Sequence, residues 1–262
     1  MLIEYDGTRF AGFQRQAPDK GPTVQGAIEA AITEVTAEPA SIEAAGRTDS
    51  GVHASGQVVS FRSGARLAAV SWGRALNAHL PPDVAVRGVA AVADEFHARY
   101  SALARSYRYR VICDPAPSPL RERFALRVRR PLDVAALARA ARVLVGEHDF
   151  GAFGSSPRDQ RAEGMPGHCV RVMHTANCQS LVNDDGSEVV AFDFTANAFL
   201  TGMVRQLVGT LLLVGHGRLS GEAFAAILAA RAKAHPGAAV TARGLCLVGV
   251  TYPTGAVEWE NV

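Results

Sequence analysis

The stretch Ala44 to Phe61, "AAGRTDSGVHASGQVVSF", sets Arg47, Thr48, Asp49, Ser50 and His53 between two segments that read as strands, Ile42 to Ala45 and Val58 to Phe61. Three uses are open to the Asp49 carboxylate. Followed by Ser50 and Gly51, it is good chemistry for capping a helical turn. Beside His53 it could begin a metal site, although His79 and His97 stand singly and no second cluster of histidines and acids lies nearby. It could also act as a nucleophile or general base. A turn of about two residues would suffice to join the strands. This link spends about ten and carries charge.

Arg205 stands within "FLTGMVRQLVG", Phe199 to Gly209, which is apolar almost all round and reads as a buried helix. A guanidinium buried there needs a carboxylate, because leaving either charge alone costs about 3–5 kcal/mol. That carboxylate is either a structural partner or a catalytic group that Arg205 keeps ionised. In "ARSYRYRVI", strand alternation puts Arg105, Tyr107 and Tyr109 on one face and Arg108 and Arg110 on the other. Tyrosines so placed ordinarily pack a core or an edge. "RERFALRVRR" alternates similarly, with Phe124, Leu126 and Val128 inward and Arg123, Arg127 and Arg129 outward. Such a cationic face suits a phosphate backbone or simply water.

The elements that must position these residues follow one pattern used twice. In the first half come a strand at Leu2 to Tyr5 and a helix from about Thr23, with Val24, Ile28, Ala31, Ile32 and Val35 on one face. Strands near Ile42 and Gln57 follow, then a helix around Leu67 to Ala78 stopped by Pro81-Pro82, and a closing strand from Val84. The second half has a strand at Tyr107 to Ile112 and a helical stripe of Val134, Leu137, Ala141, Leu144 and Val145. Strands at Cys169 to Leu181 and Glu188 to Thr195 flank the turn Asn183-Asp184-Asp185-Gly186. A long helix from about Ala198 to Val214, a shorter one at Phe224 to Leu228 and a strand at Leu245 to Tyr252 complete it.

Two β-α-β-β-α-β units are the expectation: an α+β fold of two ferredoxin-like halves, residues 1–98 and 99–262. Their sheets would join into one continuous, mainly antiparallel sheet with helices on one side and a central basic cleft. The second half links its middle strands by a plain turn, whereas the first places GRTDSGVHASG there. A loop that outgrows its twin serves more than connection.

Composition narrows the function classes. With 262 residues, 48% of them hydrophobic, the chain can bury a sizeable core. No run approaches the ~18 uncharged apolar residues of a membrane span, and the opening residues lack the basic and apolar regions of a signal peptide. Cys113, Cys169, Cys178 and Cys246 form no CxxC pair, which argues against a zinc ribbon or disulfide framework and for a reducing cytoplasm. Net charge is only +2, yet Arg99 to Arg130 holds nine arginines against Asp114 and Glu122. A basic block on a near-neutral chain suits a polyanion. Since 25 of the 27 basic residues are arginine, as a GC-rich genome would write them, the clustering carries that argument and the count does not.

Taken together, "EYDGTRFAGFQRQ", "TVQGAIEAAI", "AAGRTDSGVHASGQVVSF", "FHARYSALARSYRYRV", "NAFLTGMVRQLVGTL" and "GLCLVGVTYP" resemble the tRNA pseudouridine synthase A (TruA) family, in the family's order from residue 4 to residue 253. The resemblance implies an isomerase that converts uridine to pseudouridine in the tRNA anticodon stem-loop, at tRNA positions 38, 39 and 40. It implies a homodimer that needs neither metal nor nucleotide cofactor. Asp49 would be the nucleophile, and Tyr107 would stack on the target uracil and take its C5 proton. Arg205 would pair with the aspartate, and Arg47 would draw out the target base. His53 and Leu245 would complete the substrate-binding set. The residue types suit the reaction: a carboxylate adduct at ribose C1′ or uracil C6 divides a hard step, and a stacked base must be flipped onto an aromatic floor. An isomerisation is redox-neutral, so the lack of a Rossmann fingerprint or P-loop is expected.

Departures from the pattern are local. The first strand is short, as if residues before Met1 were missing, and Phe13 stands where the family has Trp. The stretch Phe153 to His168, "FGSSPRDQRAEGMPGH", is the least family-like and has no basic residue directly after Phe153, which bears on position selectivity. Two other classes compete. A non-catalytic RNA-binding protein would share the split βαβ units but lacks the RNP1 aromatics and has no use for the Asp49 loop. A metal-dependent hydrolase would use Asp49 with His53.

Overall fold

Thr23 starts the first helix by its own chemistry, its hydroxyl accepting the Gly26 N–H at 3.2 Å, the usual office of an N-cap residue. The computed structural model describes residues 1–155, 169–182, 186–230 and 237–262. In chain order it contains β1 (Leu2–Tyr5), α1 (Val24–Thr36), β2 (Glu43–Ala44), β3 (His53–Ser60), α2 (Ala69–His79), β4 (Val84–Val89), β5 (Ala104–Cys113) and β6 (Leu126–Val128). Then follow α3 (Val134–Arg142), β7 (Gly146–Asp149), β8 (Val170–Val182), β9 (Glu188–Ala196), α4 (Met203–Gly215), α5 (Gly221–Ala230), β10 (Leu245–Thr251) and β11 (Glu260–Asn261). Among the described residues the fold is α+β, with mixed strand pairing and five helices.

One compact unit comprises Met1–Arg105 and Cys246–Val262. Its strands run in the order β11-β4-β1-β3-β10, with β2 paired to β3. The pairings β1 with β3, β1 with β4, β2 with β3 and β4 with β11 are antiparallel. β10 lies parallel to β3, with Cys246 opposite His53 and Leu247 opposite Ala54. Helix α1 buries Val24, Ile28, Ala31 and Ile32, and α2 buries Trp72 and Leu76. Glu29 is also buried, and it meets Arg15 at 2.5 Å and accepts the Ile42 N–H at 3.2 Å. A carboxylate at that depth persists only with such partners.

The other unit is Ser106–Leu245. Its strands run β5-β9-β8-β7, with β6 parallel to β5. β8 and β9 form a long antiparallel pair, from Met173 opposite Ala196 to Val182 opposite Glu188. Arg108 on β5 holds Asp193 on β9 through both carboxylate oxygens, at 2.6 and 3.1 Å. Helix α4 is buried along Met203, Val204, Leu207, Val208 and Leu211, as its apolar sequence demands.

Several sequence expectations are modified. β3 begins at His53, so the link from Ala44 is shorter than expected and His53 belongs to the strand. Helix α4 begins at Met203 and not near Ala198, because Gly202 turns the chain at φ +73° just before it. The expected strand through "RERFALRVRR" is reduced to three residues, and Phe124 is 42% exposed instead of inward. β7 and β11 were not foreseen; their sequences, GEHD and EN, have no apolar alternation to signal a strand. Residues 246–262, assigned from sequence to the second half, group with the first unit because β10 pairs with β3. The turn residues 183–185 and, from residue 156, the stretch least like the family lie outside the described residues.

Candidate active site

Asp49 sits on the link between β2 and β3, which is braced from several sides. Tyr5 Oη and Thr48 Oγ1 share a hydrogen bond at 2.8 Å, and Phe13 N–H donates to the Thr48 carbonyl at 3.0 Å. Ser50 Oγ donates to the Phe10 carbonyl at 3.2 Å. At the root, Gln57 Nε2 donates to the Gly46 carbonyl at 2.8 Å, and the Arg105 guanidinium donates to the Ala45 carbonyl. Val52 N–H closes a turn onto the Asp49 carbonyl at 3.2 Å, and β3 follows at once. A turn and not a helix therefore comes after Asp49.

Two glycines explain how the N-terminal segment lies so close under this loop. Gly12 has φ +112°, and a Cβ there would stand 3.1 Å from the Thr48 carbonyl oxygen and 3.3 Å from the Ser50 nitrogen. A Cβ on Gly7 would fall 2.0 Å from the Val52 carbonyl oxygen. Only glycine permits both approaches. The result is an alternation along the loop: Thr48 is buried, Asp49 half-buried, and Arg47 and Ser50 exposed.

His53 is buried on β3, where Nδ1 accepts the Gly7 N–H at 3.1 Å and lies 3.1 Å from Asp6 Oδ1. Among the described residues, no three of His, Cys, Asp and Glu gather as metal ligands would.

In the second unit, Tyr107 is buried on β5 with its ring edge-on to Phe199, centroids 5.0 Å apart. Tyr109, two residues along the same face, is fully buried and donates its hydroxyl to the Thr241 carbonyl at 2.9 Å. Burial pushes the Tyr109 hydroxyl up to about 12, so it stays protonated, while its hydrogen bond and the Arg205 and Arg243 charges pull the other way. Arg205, in the first turn of α4, is half-buried; its Nε donates to the Val240 carbonyl at 2.8 Å, and Val240 N–H returns a bond to the Arg205 carbonyl at 3.2 Å. Arg205 and Tyr109 thus grip consecutive residues, Val240 and Thr241. Leu245 opens β10 and is buried.

The structure therefore brings Arg47, Asp49 and His53 into the first unit, and Tyr107, Arg205 and Leu245 into the second. Sequence reasoning missed the bracing residues Tyr5, Gly7, Gly12, Gln57 and Arg105. Two glycines five residues apart ahead of the loop were the available signal. Part of the basic block is also committed within the protein: Arg108 to Asp193, Arg121 to Asp114, and Arg127 to Glu122, which Arg243 also meets. Arg123, Arg129 and Arg130 are exposed, Arg123 with its guanidinium 5.7 Å from the Phe124 ring centroid.

Comparison with known proteins adds an independent line. Residues 1–101 and 140–253 match the model of a family described as tRNA pseudouridine synthase. The chain is 44% identical to the tRNA pseudouridine synthase A of Moorella thermoacetica over 252 residues, covering 96% of this chain and 98% of that protein. It is 42% identical over 259 residues to the protein of the same name from Chloroflexus aurantiacus, covering 99% and 90%. With the Neisseria meningitidis protein of that name it shares 41% over 253 residues, covering 97% and 91%. On the match across most of its length, the chain belongs to the tRNA pseudouridine synthase family.

Proposed function

We propose that this chain is an isomerase that converts uridine to pseudouridine in tRNA, with the anticodon stem-loop and its positions 38, 39 and 40 as target. The observation that carries the reading is the braced loop, which holds Asp49 half-buried between a locked Thr48 and an exposed Ser50. Preorganising a carboxylate in this way spares the reaction the cost of ordering it.

In the proposed reaction the N1–C1′ bond breaks and a C5–C1′ bond forms on the same ribose. The Asp49 carboxylate adds to C1′ or to uracil C6 and later leaves, so it is regenerated. The proton lost from C5 is balanced by the proton gained at N1. Tyr107 supplies the surface on which the flipped uracil stacks and, in this reading, its hydroxyl takes the C5 proton. Arg205 keeps Asp49 ionised, Arg47 draws the base out, and His53 and Leu245 shape the substrate site. Two ferredoxin-like halves, their sheets joined around a basic cleft, and a homodimeric assembly belong to the same reading. No cofactor is required, because nothing is oxidised, reduced or transferred away.

The test is tritium release from [5-³H]uridine-labelled tRNA with purified protein and EDTA, beside Asp49→Asn. Release by the unsubstituted protein alone is expected. Release that depends on added metal would point to a metal-dependent reaction instead. Absence of release with tRNA binding intact would favour a non-catalytic RNA-binding protein of the same fold.

A further inference from the structure

Tyr100 is the most exposed aromatic residue among those described, with 75% of its surface open. Its backbone, by contrast, is held in a tight turn. Ser101 N–H donates to the His97 carbonyl at 2.9 Å, Ser101 Oγ accepts His97 N–H at 3.1 Å, and His97 Nδ1 accepts Arg99 N–H at 3.1 Å. Tyr252 Oη donates to the Ala98 carbonyl at 2.6 Å, while Ser60 Oγ accepts Ala98 N–H at 3.2 Å. The Arg105 guanidinium donates to the Arg99 and Ala102 carbonyls as well as to Ala45. A rigid turn thus presents a large flat ring to solvent, tied through one guanidinium to the root of the Asp49 loop.

The surroundings of the ring say what it suits. The Arg99 guanidinium lies 5.6 Å from the ring centroid, and the His97 ring is tilted against it at 4.4 Å. Phe96 and Ala98 on the same turn pack inward with Ala45, Val58 and Tyr252. A protein interface would need a wider apolar core than one ring. Nor is the patch a phosphate track, because Glu43 lies 4.0 Å from His97 and Asp94 and Glu95 are exposed beside it. One aromatic face with a cationic edge matches a single nucleobase.

We infer that Tyr100, with Arg99 and His97, is a stacking platform for an unpaired base of the bound RNA, distinct from the uridine that reacts. The inference rests on the RNA substrate proposed above. It gives the RNA a second point of attachment in the same unit as Asp49, so the reacting uridine is located by two contacts.

The experiment compares unsubstituted protein, Tyr100→Ala and Tyr100→Phe on two RNAs: an anticodon stem-loop, and a continuous duplex without unpaired bases. Tyr100→Ala is expected to weaken stem-loop binding by ~5- to 100-fold and duplex binding by no more than ~2-fold, with an unchanged dependence of log Kd on log salt. Tyr100→Phe keeps the ring and is expected to bind within ~3-fold of the unsubstituted protein. Equal affinity of Tyr100→Ala for the stem-loop would overturn the platform. So would parallel losses on both RNAs, or a fall in assembled mass by light scattering, which would assign the ring to a protein interface. Tritium release by the unsubstituted protein separates the two readings. Release with normal binding by Tyr100→Ala overturns the platform alone. No release, with Tyr100 still needed for stem-loop binding, overturns the isomerase alone.

Discussion

Arg105 donates to the carbonyl oxygen of Ala45 from both Nε and Nη2, at 3.1 and 2.9 Å. The bond joins the last residue of one chain segment to the root of the loop that carries Asp49. Replacing Arg105 by Ala removes bonds to a charged donor worth about 1.5–3 kcal/mol each before relaxation. We expect Arg105→Ala to lower the chemical-denaturation midpoint and to cut the single-turnover rate at saturating tRNA by ~10- to 100-fold. Arg105→Lys, which keeps charge but not the fork, should recover stability better than rate. A rate loss no larger than the loss of folded protein would leave Arg105 a purely structural residue.

Asp49→Asn should abolish turnover while tRNA affinity stays within about tenfold, or ~1.4 kcal/mol. The amide is isosteric and Asp49 lies in a turn, so the bracing bonds to Thr48 survive. Residual turnover near that of the unsubstituted protein would exclude a nucleophilic role.

Tyr107→Phe retains the ring packed edge-on to Phe199 and loses only the hydroxyl. If the hydroxyl takes the C5 proton, the rate should fall by ~10²- to 10⁴-fold, the range for a lost general base. Near-normal turnover would confine Tyr107 to stacking.

Gly7→Ala should destabilise the first unit more than Gly12→Ala destabilises it. At Gly7 the added carbon would meet the Val52 backbone oxygen at 2.0 Å, against 3.1 Å to the Thr48 oxygen at Gly12. Overpacking against backbone costs about 1–3 kcal/mol or more, which urea denaturation resolves. The Gly12 variant, strained at φ +112° directly beneath Asp49, should lose activity out of proportion to its stability. Proportional losses would mean that the loop position tolerates movement.

Acid stability follows from Asp114 and Glu122. The Ala116 backbone N–H, with Arg121 adding to it against burial, holds Asp114 below its usual 3.8. The Ser118 backbone N–H and then Arg127 hold Glu122 below its usual 4.5. Both groups bind a proton less readily folded than unfolded, so their contribution is complete above those usual values and is lost as pH falls through the lowered ones. The double variant Asp114→Asn, Glu122→Gln should show a flatter fall in denaturation midpoint between pH ~5 and ~2. Identical acid slopes would deny these carboxylates that part.

Much of this was legible in the residues themselves. Alternation marked Tyr107 and Tyr109 as facing together, the apolar sweep around Arg205 marked a buried helix, and the length of the Asp49 link set it apart from a two-residue turn. What local patterns could not carry was long-range pairing. His53 read as loop because Ser55 and Gly56 interrupt the apolar run, and its strand is secured by Cys246 and Leu247, nearly two hundred positions away. Arg105 read as one more strand side chain, since nothing in its neighbours says that its guanidinium turns to backbone carbonyls. The bond from Arg205 Nε to the carbonyl of Val240 was equally unforeseen. A backbone oxygen leaves no trace in a sequence.

The pairing of β10 with β3 also has a consequence in time. Translation delivers residues 1–105 first, yet the strand that lies against His53 and Ala54 emerges only after the whole of Ser106–Leu245 has been synthesised. Until then β3 presents an open edge on the nascent chain, the kind of edge that invites mispairing. The strand leading out of the Asp49 loop is thus completed among the last acts of folding, and a chain truncated before residue 246 would leave the ribosome with that edge unpaired.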